Sequence, residues 1–194
     1  AFPAYYSGIQ KEIDSFVSKK ISDKITSSRF GHLFLKNAFI NFSSDKIYNL
    51  NSLIGSFSNY ESIVVSSGPS LDVFLPKLKI LQNFIFIIAA DSAVNSLLKF
   101  DIVPDFIISI DPQAYTWEHL LNEKSSPVYL HSLTAHVPIK TEKQFFYINT
   151  HPFCQILESI DRNIPCFDAK TGNVTGDALL FSKSLGFRKT YILG

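Results

Sequence analysis

Between Ile63 and Leu121, short runs of β-branched and aromatic residues alternate with segments of helical length, and this alternation restricts the chain more than any other feature. Strands over Ile63–Val65, Phe84–Ala89 and Phe106–Ile110 are separated by helices over Val73–Leu81 and Ser92–Phe100, and a further helix is expected over Pro112–Leu121. Runs apolar at every position suit strands covered on both faces, and strands joined by helices of this length pair in parallel through right-handed crossovers. Val128–His131, Phe145–Asn149 and Thr190–Leu193 read as three more strands, and His151–Ile160 and Asn173–Leu185 as two more helices. The fold class is therefore α/β, a Rossmann-like, doubly wound, mostly parallel sheet.

An N-terminal helical segment precedes it. From Tyr5 to Ser28, Ile9, Ile13, Phe16, Val17, Ile21 and Ile25 recur at steps of three and four, the pattern of an amphipathic helix, and Gly31–Phe42 continues as a second helical stretch. The Asn- and Ser-rich residues 41–58 read as a loop with one helical turn near Leu53. This divides the chain into a helical segment, residues 1–58, and a nucleotide-binding domain, residues 59–194. The absence of any Met and the stop at Gly194, directly after a strand, lead us to expect an excised part of a longer protein.

Charge and cysteine usage exclude several classes of function. Eighteen basic against 17 acidic residues give no polycationic surface for nucleic acid. The longest apolar run, Phe84–Ala90, is far shorter than the ~20 residues of a membrane span. The N-terminus has neither the basic region nor the apolar stretch of a secretory signal, so a cytoplasmic location is expected. Cys154 and Cys166 lack the spacing of a zinc or redox site and read as core thiols.

In open parallel sheets, ligands bind beyond the carboxyl ends of the strands. The residues there are Ser66, Ser67, Gly68, Pro69 and Ser70 after the first strand, Asp91 and Ser92 after the second, Asp111 to Gln113 after the third, and His131 and Ser132 after the fourth. Pro69 suits the first turn of a helix and Ser67 is placed to cap it, so that helix would turn its free N–H groups toward an anion, with Gly68 leaving the backbone open to close approach. Thr171 to Asp177, hydroxyl-rich and holding Gly172, Asn173, Thr175 and Gly176, is a second phosphate-loop candidate. Asp91 and Asp111 read either as helix N-caps or as ligands for ribose hydroxyls or a metal. Asp111 can be general base or metal ligand, and the spacing does not choose. His131 is the histidine at the right edge and, with Asp111, a catalytic candidate. His119, His136 and His151 have no metal-ligand partner at helical spacing and read as surface or packing residues, and Asp105, at the start of the third strand, reads as structural. Neither a nucleophile elbow, a Walker A lysine nor a three-glycine fingerprint is present, which disfavours an esterase, a P-loop NTPase and an ordinary NAD dehydrogenase.

Three motifs, VVSSGPSLD from Val64, IIAADSAVNSLLKFDIVPDFIISIDPQ from Ile87 and TGNVTGDALLFSKSLGFRKTYILG from Thr171, stand in this order, and with them the chain from Ile63 to Gly194 resembles the MptE-like and motility-accessory-factor group. The resemblance implies a Rossmann-like domain related to nucleotide-sugar sialyltransferases. One branch places nonulosonic acids such as pseudaminic or legionaminic acid on flagellin Ser or Thr from a CMP-linked donor. The other is a diphosphokinase that moves pyrophosphate from ATP to 6-hydroxymethyl-dihydropterin with Mg²⁺. By the same resemblance, Gly68, Pro69 and Ser70 hold the nucleotide phosphate, Asp91 and Ser92 line the nucleoside pocket, Asp111 faces the reacting centre, and Gly172, Asn173 and Thr175 close the far side. The expected function is the glycosyltransferase, since the long helical segment suits a protein acceptor. The diphosphokinase is the first alternative, and a nucleotide-binding module without catalysis the second.

Overall fold

The computed structural model describes residues 3–43, 50–120, 127–137, 141, 143–148, 156–157, 159–160, 164 and 173–194. Its centre is a six-stranded sheet of β1 (Glu61–Val65), β2 (Phe86–Ala90), β3 (Phe106–Ser109), β4 (Val128–Ser132), β5 (Gln144–Tyr147) and β6 (Lys189–Leu193). The strands run in the order β5-β4-β3-β2-β1-β6, and every pairing is parallel. Around it lie α1 (Pro3–Phe42), α2 (Ser70–Leu81), α3 (Asp91–Lys99) and α4 (Val174–Leu185).

Side-chain alternation along each strand builds a two-sided core. Val65, Ile87, Ile107 and Tyr129 pack on one face with Leu71, Leu75 and Leu78 of α2 and Val94 and Leu97 of α3. Their neighbours Val64, Ile88, Ile108 and Leu130 pack on the other with Phe181 and Leu185 of α4. An apolar residue at every strand position is what two covered faces require. The hydroxyls of Ser62, Ser182 and Thr190 lie 2.6 to 3.0 Å apart and bind one another, joining β1, α4 and β6 without leaving a buried polar atom unpaired. At the opposite end of the sheet from the carboxyl ends of the strands, the carboxylate of Asp105 accepts from the Ile87 N–H at 2.8 Å, the structural role expected of it.

Two elements differ from the sequence pattern. Tyr5–Ser28 and Gly31–Phe42 form one continuous helix, α1. In place of a helix over Pro112–Leu121 there is a 3-10 turn over Ala114–His119, because the Asp111 side chain accepts from the Gln113 N–H at 2.9 Å and the Thr116 hydroxyl donates to the Gln113 carbonyl at 2.8 Å. A 3-10 turn at Leu50–Ser52 supplies the helical turn expected near Leu53, and Leu50 is buried in the α4-side core. Of the helix expected over His151–Ile160, the described Ile156, Leu157, Ser159 and Ile160 have helical backbone. Both cysteines and His151 lie outside the described residues.

Among the described residues, it is the last turns of α1 that touch the sheet domain closely. The Asn37 amide donates to the carbonyls of Pro112 and Thr134 at 2.9 and 3.1 Å, and the Asn41 amide to those of Leu133 and Ala135, both at 2.9 Å. Four loop carbonyls are thereby satisfied. Ala38 packs with Leu133, Phe146 and Ile148 in a third apolar cluster. No helix among the described residues is long and apolar enough to cross a membrane.

Candidate functional site

The chain leaves β1 toward α2 on one face of the sheet, and reaches β6, on the other side of β1, from α4 on the opposite face. The carboxyl ends of β1 and β6 therefore flank the topological switch point, where a ligand crevice opens in sheets of this kind. Each serine of the first loop has a defined partner there. The Ser66 hydroxyl lies 2.6 Å from that of Thr175, the Ser67 hydroxyl donates to that of Ser92 at 3.0 Å, and the Ser70 hydroxyl donates to the Gly194 carbonyl at 2.5 Å. Thr175, Ser92 and the β1 loop are thus brought together.

The reason for the glycine is different from the expected one. A Cβ on Gly68 would stand 2.0 Å from the carbonyl carbon of Gly194, so the room beside Gly68 is filled by the chain's own backbone. Ser67 does not cap α2. Pro69 occupies the N-cap position with no side-chain hydrogen bond, which leaves the first N–H groups of α2 without a side-chain acceptor. Asn173 is the N-cap of α4, its side-chain oxygen accepting from the Gly176 N–H at 2.8 Å, while Gly172 lies outside the described residues.

Asp91 is the first residue of α3 and is only 7% exposed. It is not the N-cap. One carboxylate oxygen accepts from the Ser109 hydroxyl at 2.6 Å and the other from the Ser92 N–H at 2.7 Å. Burial raises its pKa above the usual carboxylate range, and these two bonds, with the charge of nearby His119, pull the other way. Asp111 is half-buried. Gln113 donates to its Oδ1, and the exposed Tyr115 hydroxyl to its Oδ2 at 3.3 Å; the negative charge of Asp111 raises the Tyr115 pKa. The Asp111 carbonyl takes the His136 N–H at 2.9 Å, so the loops after β3 and β4 are tied to each other and, through Asn37, to α1.

His131 does not join this group. Its ring is 2% exposed, stacked on Tyr129 at 5.8 Å and tilted against Phe146, with Nδ1 unpaired, and burial holds its pKa down at about 4. It is a neutral core residue, and the catalytic role expected of it is not one this geometry supports. Sequence reasoning also passed over Ser109, Tyr115 and the pair of Tyr147 and Asp177, in which a buried phenol donates to a carboxylate of the first turn of α4 at 2.6 Å. Ser109 carried a signal, a small polar residue closing an apolar strand. Tyr147 carried none, because it reads as one more aromatic in a strand.

Comparison with known proteins agrees with this fold. Residues 34–194 match the family described as 6-hydroxymethylpterin diphosphokinase MptE-like. Two uncharacterized proteins of Treponema pallidum (strain Nichols) are similar, one 28% identical over 114 residues, covering 57% of this chain and 54% of that protein, the other 26% identical over 111 residues, covering 56% of this chain and 19% of that protein. Among solved structures, the Maf glycosyltransferase of Magnetospirillum magneticum AMB-1 superposes with a TM-score of 0.69 at 23% identity, over 83% of this chain and 26% of that one. The chain thus spans about half the length, or less, of each of these proteins.

Proposed function

This chain belongs to the 6-hydroxymethylpterin diphosphokinase MptE-like family, and from that premise we propose that it carries the nucleotide site of a glycosyltransferase. The finer reading is a transferase of a nonulosonic acid from a CMP-linked donor to Ser or Thr of flagellin, acting in the cytoplasm. The observation that carries it is the composition of the ligand edge. Asp91, Asp111 and the hydroxyls of Ser67 and Ser92 line the strand ends, and no Lys or Arg stands at residues 66–70, 91–92, 111–115, 132–136 or 173–175. A CMP-linked nonulosonic acid, charged at its phosphodiester and its sugar carboxylate, carries less charge than a triphosphate, and the start of α2, which no side chain caps, suits the phosphodiester. Neutral sugar hydroxyls suit the carboxylates. In the transfer, Asp111 would take the proton of the acceptor hydroxyl as its oxygen bonds to the anomeric carbon, while the bond from that carbon to the phosphate oxygen breaks and CMP leaves with the electron pair.

A second reading, the diphosphokinase, is favoured by the description of the family itself. It needs Mg²⁺ beside a triphosphate, which one or two protein carboxylates and the phosphates can hold. Asp111 is the fitting donor, since both oxygens of Asp91 already accept hydrogen bonds within the fold. Calorimetric titration with CMP, CDP and ATP, each with and without Mg²⁺, separates the two. Tighter binding of CMP or CDP, little changed by Mg²⁺, is expected of the glycosyltransferase. Tight ATP binding that appears only with Mg²⁺ would replace it with the diphosphokinase.

A further inference from the structure

Asn37 and Asn41, one helical turn apart near the end of α1, are both buried, 6% and 5% exposed. An amide nitrogen carries two hydrogens fixed in one plane, and each of these side chains gives both to carbonyls of the sheet domain. Their reach differs. Asn41 holds Leu133 and Ala135, two carbonyls of the single loop after β4. Asn37 holds one carbonyl from each of two loops, Pro112 after β3 and Thr134 after β4.

The first of these carbonyls lies directly beside Asp111. The Asp111 carbonyl accepts from the His136 N–H at 2.9 Å and the next one, that of Pro112, from Asn37 at 2.9 Å, so the peptide units on both sides of Pro112 are anchored from outside their own loop. Between these two anchors the proline ring fixes φ at about −65°, which leaves ψ as the one soft torsion. The carboxylate is held in turn by Gln113, whose N–H and side-chain amide both donate to Oδ1. A grip on the Pro112 carbonyl is thus carried through a stiff stretch of chain to the Asp111 side chain. Packing alone asks for no polar group at this end of α1, where the neighbouring Ala38 joins the apolar cluster of Leu133, Phe146 and Ile148.

We propose that Asn37 is a positioning residue of the candidate site: it fixes the loop that carries Asp111 against the loop after β4, and so fixes where the Asp111 carboxylate stands. The proposal rests on the role given to Asp111 in the transfer above. It makes the end of α1 a part of the site. Asn41, as deeply buried and bonded to as many carbonyls but confined to one loop, is the natural comparison.

Asn37→Ala and Asn41→Ala each strip two carbonyls of a donor, so a role in stability alone predicts like effects from both. Positioning predicts a split, because a misplacement of about 1 Å at a reacting group can cost ~100-fold in rate. With the CMP-linked donor, or with ATP and Mg²⁺, kcat of Asn37→Ala should fall at least ~10-fold while KM for the nucleotide stays within about 2-fold, and Asn41→Ala should keep both within about 3-fold of the parent. Asn37→Ser has one hydrogen to donate and can hold one carbonyl but not both; it should behave as Asn37→Ala does, and is read in its place if the alanine variant does not fold. Hydrogen exchange at the His136 amide, whose bond to the Asp111 carbonyl crosses between the loops, reads the clamp without any substrate. It should quicken at least ~10-fold in the Asn37 variants and less than about 3-fold in Asn41→Ala. A parent that turns over neither nucleotide would remove the transferase reading and leave the exchange rates to decide the clamp. Equal exchange rates in the Asn37 and Asn41 variants, or equal losses of kcat, would overturn the proposal.

Discussion

Gly68 and Gly194 meet main chain to main chain where β1 and β6 diverge, with the Gly194 carbonyl carbon 2.0 Å from the point a Cβ on Gly68 would occupy. Even alanine at position 68 must therefore push the end of β6 away. Gly68→Ala is expected to cost about 1–3 kcal/mol, as overpacking does elsewhere, read from the midpoint of urea unfolding. A variant as stable as the parent would show that Gly194 yields freely at this point. Any loss of nucleotide binding in the variant should track the loss of stability.

His131 makes a prediction about acid. The ring is held neutral by burial with a folded pKa of about 4, against 6.5 for the free side chain. Between those values the unfolded chain takes up a proton that the folded chain does not, so stability falls as the pH drops from 6.5 to about 4, by roughly 3 kcal/mol, and is flat on either side for this group. His131→Gln should remove that slope from the unfolding free energy. An unchanged slope would place the titrating group elsewhere.

For Asp91 the sign is opposite. Burial raises its folded pKa, so the folded state favours the protonated carboxyl and stability decreases as the pH rises through the folded value. Asp91→Asn keeps an acceptor for the Ser92 N–H and removes the buried charge. It should be at least as stable as the parent at neutral pH, with its advantage vanishing in acid. A variant less stable than the parent at pH 7 would show that the Ser109 and Ser92 bonds outweigh the desolvation.

Asp111→Asn separates turn formation from chemistry. The amide oxygen can still accept from the Gln113 N–H, so the melting temperature should change by no more than a cap substitution allows, about 1 kcal/mol in stability. Transfer activity should fall at least ~100-fold if the carboxylate takes the acceptor proton. Full activity in the folded variant would remove Asp111 from the reaction.

Much of this was legible in the sequence, for identifiable reasons. A strand covered on both faces must be apolar at consecutive positions, which is why Ile63–Val65 and Phe106–Ile110 announced themselves and why a parallel sheet followed. The polar edge of the sheet was legible because polar residues end those runs together. What stayed hidden depends on geometry that spacing does not encode. Whether Asp91 caps a helix or accepts from Ser109 is set by which face Ser109 turns to, and whether His131 lines a cleft or a core is set by Phe146 on the neighbouring strand. Asn37 and Asn41 looked like polar punctuation in a helix. Their partners lie 75 to 97 positions away.

The register of β1 against β6 joins Ser62 to Thr190 and Val65 to Leu193, so β1, one strand in from the edge of the sheet, takes its outer neighbour from 128 positions further along the chain. During synthesis β1 and β2 can pair as soon as they leave the ribosome, yet one edge of β1 keeps its N–H and C=O groups unpaired until residues 189–193 have emerged. An apolar edge held open that long is a template for mispairing with other chains. Closure of so wide a loop is slow, which makes docking of β6 a late event in folding and the interval before it the one in which a nascent chain most needs a chaperone.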